Sequence, residues 1–288
     1  MLEYVSPGSF RRRERESHVG TVVVVGSLNI DSTVEVARHP QPGETLLGGD
    51  LVKQFGGKGA NQAIAAARAG ARVGMVGRVG DDADGDAYLR RLQGYGIDTT
   101  HIARTHGVPT GHAAIAVDAD GENTIIVSPG ANGRLTVADL AALTSLAAGD
   151  VLLAQLEVDT DVVAEAARIA ASRGARVILN LAPYAGLPGD VLELADPVVV
   201  NEHENAQLEA DGYAPRSVLV TRGGTGSQWG EVTVAAGVAS TVVDTTGAGD
   251  CYCGTLAAGL AAGLGERDAM EAASTAAALS VGWAGAQP

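Results

Sequence analysis

The chain has 288 residues, 46% hydrophobic and 19% charged, enough for one large domain or two modest ones around a substantial core. Its 34 acidic and 20 basic residues give a formal charge of −14, which excludes nucleic acid as a partner, because phosphate backbones are bound by net basic surfaces. No apolar run approaches the roughly eighteen residues that cross a bilayer, so no membrane partner is expected. Cys251 and Cys253 lie too close together to staple distant segments and are too few for a four-ligand zinc site, so the expected location is the cytoplasm.

Residues 1–20 carry an arginine cluster with no apolar stretch behind it. They do not read as a secretory signal and are expected to be a disordered or cloning-derived tail. Residues 21–26 (TVVVVG) are a β-branched run bounded by turn residues and read as a strand. Residues 34–52 lack helical periodicity and carry Pro40, Pro42 and paired glycines. Residues 58–70 are an alanine-rich helix and 72–77 a strand; 110–128 place apolar runs on either side of Asp120-Gly121, a hairpin signal. Helix 137–147, strand 151–155, helix 160–173 and strand 175–180 follow, then strands 217–221 and 227–234 and helices 251–263 and 266–280. Short apolar strands alternating with longer helices predict an α/β fold of three layers, a mostly parallel sheet covered on both faces. The segments at about 34–52 and 110–128 break the alternation. They are expected to form a small discontinuous β-sheet lid inserted into a single domain over 21–288.

Residues 242–256 (VVDTTGAGDCYCGTL) run from a strand into the turn Gly247-Ala248-Gly249 and straight onto a helix. Unpaired N–H groups at a helix start make an anion site, and glycines let the backbone approach a phosphate closely. Asp250 repels a resting anion, so binding alone gives no reason for it; a carboxylate there suits taking a proton from a hydroxyl that attacks phosphorus. The competing reading is a helix-capping aspartate beside a tight turn. A dinucleotide fingerprint would follow the first strand instead, and no GxxxxGK[ST] loop occurs. Asn29 and Asp31, in GSLNID at the end of the first strand, alternate onto one face and offer a polyhydroxylated ligand both donors and acceptors, or else close a loop as an Asx turn. Residues 55–62 (FGGKGANQ) form a third polar cradle, or simply a helix start with a solvated lysine.

Together, GSLNID, PGET (42–45), GGKGANQA and DTTGAGD resemble, in order and spacing, the ribokinase branch of the PfkB sugar-kinase family, over about nine-tenths of the chain. The resemblance implies a ribokinase-like fold and ATP-dependent phosphorylation of the primary 5-hydroxyl of a pentose, D-ribose first. Asp250 would be the general base and the N–H groups of Gly247, Ala248 and Gly249 the anion hole. Kinases for deoxyribose, fructose or adenosine are the alternatives within the class, and a non-catalytic sugar or nucleotide sensor is the alternative outside it. By the same resemblance Asn29, Asp31, Gly57, Lys58, Asn61 and Glu157 line the sugar pocket. Asn201 and Glu204, in an NxxE element, organise magnesium directly or through water, with Asn201 also facing the nucleotide. Thr221, Arg222, Gly223, Gly224, Thr225 and Gly226 form the nucleotide loop, with Gly249 and Ser274 also at ATP. Asp244 and Thr246, with carbonyls of Ser280, Trp283 and Gly285, match a potassium site, and a homodimer through the lid strands is implied.

Three features depart from the family pattern. Sixteen residues (205–220) separate Glu204 from Thr221, so a helix is expected to be missing. The last residues, 285–288, stand where the family continues with a serine-bearing segment and a terminal helix, so one potassium ligand and the cover of an apolar surface are expected to be lacking. Ser274 is small, so base stacking there is not expected. Glu202, His203 and Glu204, adjacent on an expected extended segment, point apart and make a poor transition-metal site; His203 reads as a solvated loop residue. The two cysteines are expected to be buried packing residues.

Overall fold

In the computed structural model, which describes residues 20–288, the run TVVVV forms β1 (Thr21–Val25), a central strand. The expected N-terminal tail lies outside the described residues. β1 pairs in parallel with β4 (Arg72–Gly80) on one side and β8 (Val151–Gln155) on the other. Both its faces are covered, so it reads as a continuous apolar run. Val22 and Val24 face one core cluster, and Val23 and Val25 the other.

The main sheet has nine strands in the order β13-β12-β11-β10-β9-β8-β1-β4-β5. β5 (Asp98–Thr105), β9 (Arg176–Asn180), β10 (Ala195–Asn201) and β11 (Val218–Thr221) continue the parallel pairing. β12 (Ser227–Trp229) and β13 (Val232–Val234) close one edge antiparallel. One face packs on α1 (Lys58–Arg68), α2 (Ala83–Gly94), α6 (Ala248–Ala261) and α7 (Glu266–Ser280). The opposite face packs on a 3-10 segment (Val137–Ser145), α3 (Thr160–Ser172), α4 (Gly189–Leu192) and α5 (Glu202–Ala210). The chain thus adopts the expected three-layer α/β fold.

The lid is a separate four-stranded sheet in the order β3-β2-β6-β7. It comprises β2 (Asn29–Glu35), β3 (Val52–Gly56), β6 (Gly111–Val117) and β7 (Asn123–Ser128). β2 and β6 run parallel and the outer pairs antiparallel. The hairpin expected at 110–128 is present. The expected segment 34–52 is corrected: its strands begin earlier and end later, and residues 36–51 between them hold no strand. Pro40 and Pro42 there lack the N–H a ladder needs. Because β2 starts at Asn29, the end of β1 is also the hinge into the lid.

Other boundaries differ for local reasons. Residues 227–234 are two strands turning at Gly230, whose φ is 54°, and residues 137–147 hold a 3-10 segment. α2, β5, β10 and α5 were not anticipated. Glu202–Glu204, expected to be extended, instead open α5, and Asn201 at the end of β10 caps it reciprocally: Asn201 Oδ1 accepts from Glu204 N–H and Glu204 Oε2 from Asn201 N–H, each at 2.8 Å. α5 alone makes the crossover from β10 to β11, in keeping with the short spacing. An apolar groove of about 510 Å³ lies between α1, α6 and α7, lined by Ile64, Ala65, Leu279 and Trp283 among others.

Candidate active site

The site is built where β1, β8, β9 and β10 end, the usual ligand side of a parallel sheet. At its centre α6 opens from Gly247, whose φ of 76° belongs to glycine. A Cβ at Gly247 would also stand 2.5 Å from Ala286. Ala248 N–H closes the turn on the Thr245 carbonyl at 3.2 Å, and Cys251 N–H begins the helix on the Gly247 carbonyl at 2.8 Å. Gly249 is different. A Cβ there would meet no protein atom within 4 Å, so the glycine leaves open room at the helix end.

Asp250 is 6% exposed, and no side chain caps α6. Its carboxylate instead accepts two side-chain amides: Asn61 Nδ2 on Oδ2 and Gln62 Nε2 on Oδ1, both at 2.9 Å. Gln62 is itself oriented, because its Oε1 accepts from Gln155 Nε2 at 2.6 Å and its Nε2 also reaches Asn180 Oδ1 at 3.0 Å. The capping alternative for Asp250 is therefore not the arrangement found. The Lys58 side chain is half-buried nearby, and the charge of Asp250, against desolvation and helped by Glu157 and Glu204, holds its ammonium above the ordinary lysine range.

On the lid side, Asn29 is buried and its Oδ1 accepts from Asn132 Nδ2 at 2.7 Å, which leaves its own N–H groups for a ligand. Gly57 approaches so closely, at φ 87°, that a Cβ would stand 2.7 Å from Asn29 N. Glu157 Oε2 accepts from Ser27 Oγ at 2.5 Å and from Lys58 N–H at 2.9 Å. Burial, with Glu157 adding to it, pushes the Asp31 carboxyl up to about 6.

A chamber of about 140 Å³ is lined by Lys58, Asn180, Asn201, Glu204, Thr221, Gly247, Gly249 and Asp250 among others. Beside it runs a cleft of about 690 Å³, and Asn201, Thr221 and Gly249 line both. The cleft is walled by Gly223, Gly224, Gly226 and Ser274, with Ala236, Val242, Ala277 and Val281 as an apolar floor. Two residues of the expected nucleotide loop turn aside. Arg222 donates to Gln228 Oε1 at 2.9 Å, and the Thr225 hydroxyl closes its own turn on the Arg222 carbonyl at 2.8 Å; neither lines the cleft. His203, exposed in the first turn of α5, does line it.

Behind the Gly247–Gly249 turn, Asp244 accepts from Thr246 N–H at 2.8 Å and Gly285 N–H at 2.9 Å. Burial opposes ionisation of Asp244, but these hydrogen bonds outweigh it and hold the carboxyl below the usual range. Its neighbour Val243 donates to the Val281 carbonyl at 2.7 Å, so the segment holding Ser280, Trp283 and Gly285 is folded against residues 243–246. Cys253 is buried in the core, where desolvation pushes its thiol up, and Cys251 is half-buried and shifted the same way by burial. Both fit the packing role. Ser27, Gln62, Asn132, Gln155, Asn180 and Gln287 escaped the sequence reading. Gln62 was the most accessible of these, since it follows Asn61 in the motif already singled out.

The model for pfkB family carbohydrate kinases matches residues 20–288. A ribokinase of Bacillus subtilis is 37% identical over 277 residues, covering 92% of this chain and 94% of the relative. The chain also matches a bifunctional ribokinase/ribose-5-phosphate isomerase A of Fructilactobacillus sanfranciscensis, 37% identical over 288 residues, but spans only 53% of that longer protein. Among solved structures, Arabidopsis thaliana ribokinase complexed with ribose and ATP superposes with a TM-score of 0.81 at 30% identity, covering 93% of this chain and 96% of that one. With a family match over nearly its whole length and relatives of this identity, the chain belongs to the pfkB family of carbohydrate kinases.

Proposed function

We propose that the chain transfers the γ-phosphoryl group of ATP to the 5-hydroxyl of D-ribose, giving ribose 5-phosphate and ADP, with Asp250 as general base. The observation that carries this is the Asp250 carboxylate itself. It is buried, uncommitted to capping, and held by two amides in a chamber that opens onto the nucleotide cleft. The ribokinase relatives and the ribose- and ATP-bound neighbour support ribose as the acceptor.

In this reading Asn29, Asp31 and Glu157 hold the sugar hydroxyls, and Asp250 takes the proton of the 5-hydroxyl as its oxygen attacks the γ-phosphorus. The N–H groups of Gly247 and Gly249 and the Lys58 ammonium stabilise the charge that develops on the transferred oxygens, whereas Ala248 N–H, expected in the same role, is committed to the Thr245 carbonyl. Lid closure over the sugar excludes water, which limits ATP hydrolysis.

Magnesium fits the residues present. Glu204 is half-buried at the chamber with one carboxylate oxygen committed to its cap, and oxygen ligands of this kind suit an ion that keeps waters. Magnesium held by Asn201 and Glu204 would neutralise triphosphate charge. The ionised Asp244 against residues 280–285 fits potassium, whose charge behind the anion turn would offset the acidity of the chain. Ile125, Ile126 and Val127 on β7, each at least half exposed, support a homodimer through the lid. No helix among the described residues is long and apolar enough to cross a membrane, and a cytoplasmic location remains part of the proposal.

The test is a coupled ADP-release assay with ATP, magnesium and potassium against ribose, deoxyribose, fructose and adenosine, beside Asp250→Ala. Ribose-dependent turnover that disappears in the variant supports the reading. Turnover on another acceptor replaces the substrate, and no turnover by a folded, ATP-binding protein favours a sensor.

A further inference from the structure

Gln287, one residue from the end of the described chain, is 9% exposed. Its side-chain amide is fully engaged. Nε2 donates to Asn61 Oδ1 and to Tyr88 OH, both at 2.8 Å, and Oε1 accepts from Arg91 Nε at 2.8 Å. Three further contacts seat the segment: Arg91 donates to the Gln287 carbonyl at 3.4 Å, and Arg91 and Tyr95 donate to a main-chain oxygen of Pro288 at 2.9 and 2.7 Å. A glutamine docked in this way is more than a plug, because of what it does to Asn61.

The two ends of a carboxamide have nearly the same shape and opposite hydrogen-bonding character. Which end of Asn61 faces Asp250 is decided by what faces the other end. Gln287 presents an N–H to Asn61 Oδ1, so Asn61 Nδ2 is turned to the Asp250 carboxylate. Turned over, Asn61 would set its oxygen against that carboxylate and its N–H groups against those of Gln287. Gln62, the other amide on Asp250, is polarised in the same manner by Gln155. The carboxylate is thus held by two amide pairs, one from the sheet and one from the C-terminal segment.

We propose that Gln287 is a positioning residue for phosphoryl transfer: its amide fixes Asn61 with the N–H toward Asp250, so the base is aimed from the C-terminal segment through Asn61. This rests on the reading of Asp250 as the base. The residues that seat Gln287 also touch the lid strand β3. Tyr88, which Gln287 also touches, donates to the Gly56 carbonyl at the end of β3, and Arg91 stacks over Phe55 at 4.8 Å.

The test uses the full chain and two substitutions. Gln287→Met keeps the volume and removes every hydrogen bond. Gln287→Glu keeps an acceptor for Arg91 but has no donor for Asn61, so it preserves the docked segment while reversing the polarity that Asn61 meets. Each is expected to lower kcat about ten-fold, on the scale of one lost oriented hydrogen bond, with KM for ATP unchanged. Neither should lower kcat further in an Asn61→Ala background, since the path to Asp250 is already cut. A merely structural role would multiply the losses in that background, or would lower the unfolding midpoint with kcat intact; either result overturns the proposal. If the Met variant does not fold, the Glu variant decides alone. Asp250→Asn is the separating arm. Turnover retained by Asp250→Asn overturns the base reading itself, whereas an inactive Asp250→Asn beside multiplicative Gln287 losses overturns only the positioning role.

Discussion

Asn61 and Asp250 stand 189 positions apart in sequence and 2.9 Å apart in the site, amide nitrogen to carboxylate oxygen, joining α1 to α6. The first prediction follows from that contact. Asn61→Ala removes one of two donors to a buried carboxylate and should lower kcat by about ten- to a hundred-fold. Gln62→Ala should do the same and also cost about 1–3 kcal/mol of stability, because Gln155 and Asn180 lose their partner. Asp250→Asn should cost about 10²–10⁴ in kcat while the fold is retained. Initial rates and chemical unfolding of the three variants check this.

The two glycines of the anion turn should answer differently to one methyl group. Gly247→Ala meets a positive φ and the Ala286 contact, so about 1–3 kcal/mol of stability should be lost together with activity. Gly249→Ala meets no protein atom and gains helix propensity of up to about 1 kcal/mol, so the unliganded protein should be as stable or more so. Its kcat or KM for ATP should nonetheless suffer, since the methyl group occupies the space left for phosphate. Thermal unfolding without ligand, beside ATP kinetics, separates the two.

Asp31 gives a pH dependence. Its carboxyl is raised from 3.8 to about 6, by burial first and Glu157 second, so its charge disfavours the folded state. That cost is absent below the unfolded value, grows as pH rises from there to about 6, and is fully present above. Asp31→Asn should therefore raise the unfolding midpoint more at about pH 8 than at about pH 5. As pH falls through about 6 the carboxylate loses its acceptor character, and KM for ribose should rise in the parent protein but stay flat in the variant. Calorimetry and ribose titrations at several pH values test both signs.

Replacing potassium by a bulky organic cation at constant ionic strength should lower kcat several-fold. Asp244→Ala should make the rate indifferent to the exchange. A parent enzyme equally active in both salts would remove potassium from the proposal.

Ile126, 69% exposed on β7, is the most open of the apolar lid residues there. Ile126→Glu should convert a dimer to a monomer in sedimentation equilibrium while leaving the main sheet intact. A parent protein that sediments as a monomer at all concentrations would overturn the lid dimer.

Much of the fold was legible in the chain because its signals are local. β8 and α7 lie at the expected residues, and β1, α1 and α3 within a residue or two, since β-branched runs and alanine-rich stretches between glycines announce themselves over a few positions. α2 did not: its helix presents only Tyr88 and Leu92 as large buried residues, too few to set a period. The Gly247–Gly249 turn opening onto a helix was legible for the same reason, as neighbours in one string, but the strand expected to run into it is absent: residues 242–246 hold none. The lid hairpin around Asp120-Gly121 was legible too.

The strand–helix alternation, the acidic balance and the motif set that marks the family can all be read along the chain, because they are properties of composition and of neighbouring residues. What surrounds the Asp250 carboxylate emerges from the fold instead. Gln62, Gln155, Asn61 and Gln287 come from α1, β8 and the last residues of the chain, and they meet because sheet order and helix packing bring those distant segments to one point. Each hydrogen bond depends on a separation of about 3 Å and a fixed amide orientation, which no spacing along the chain encodes.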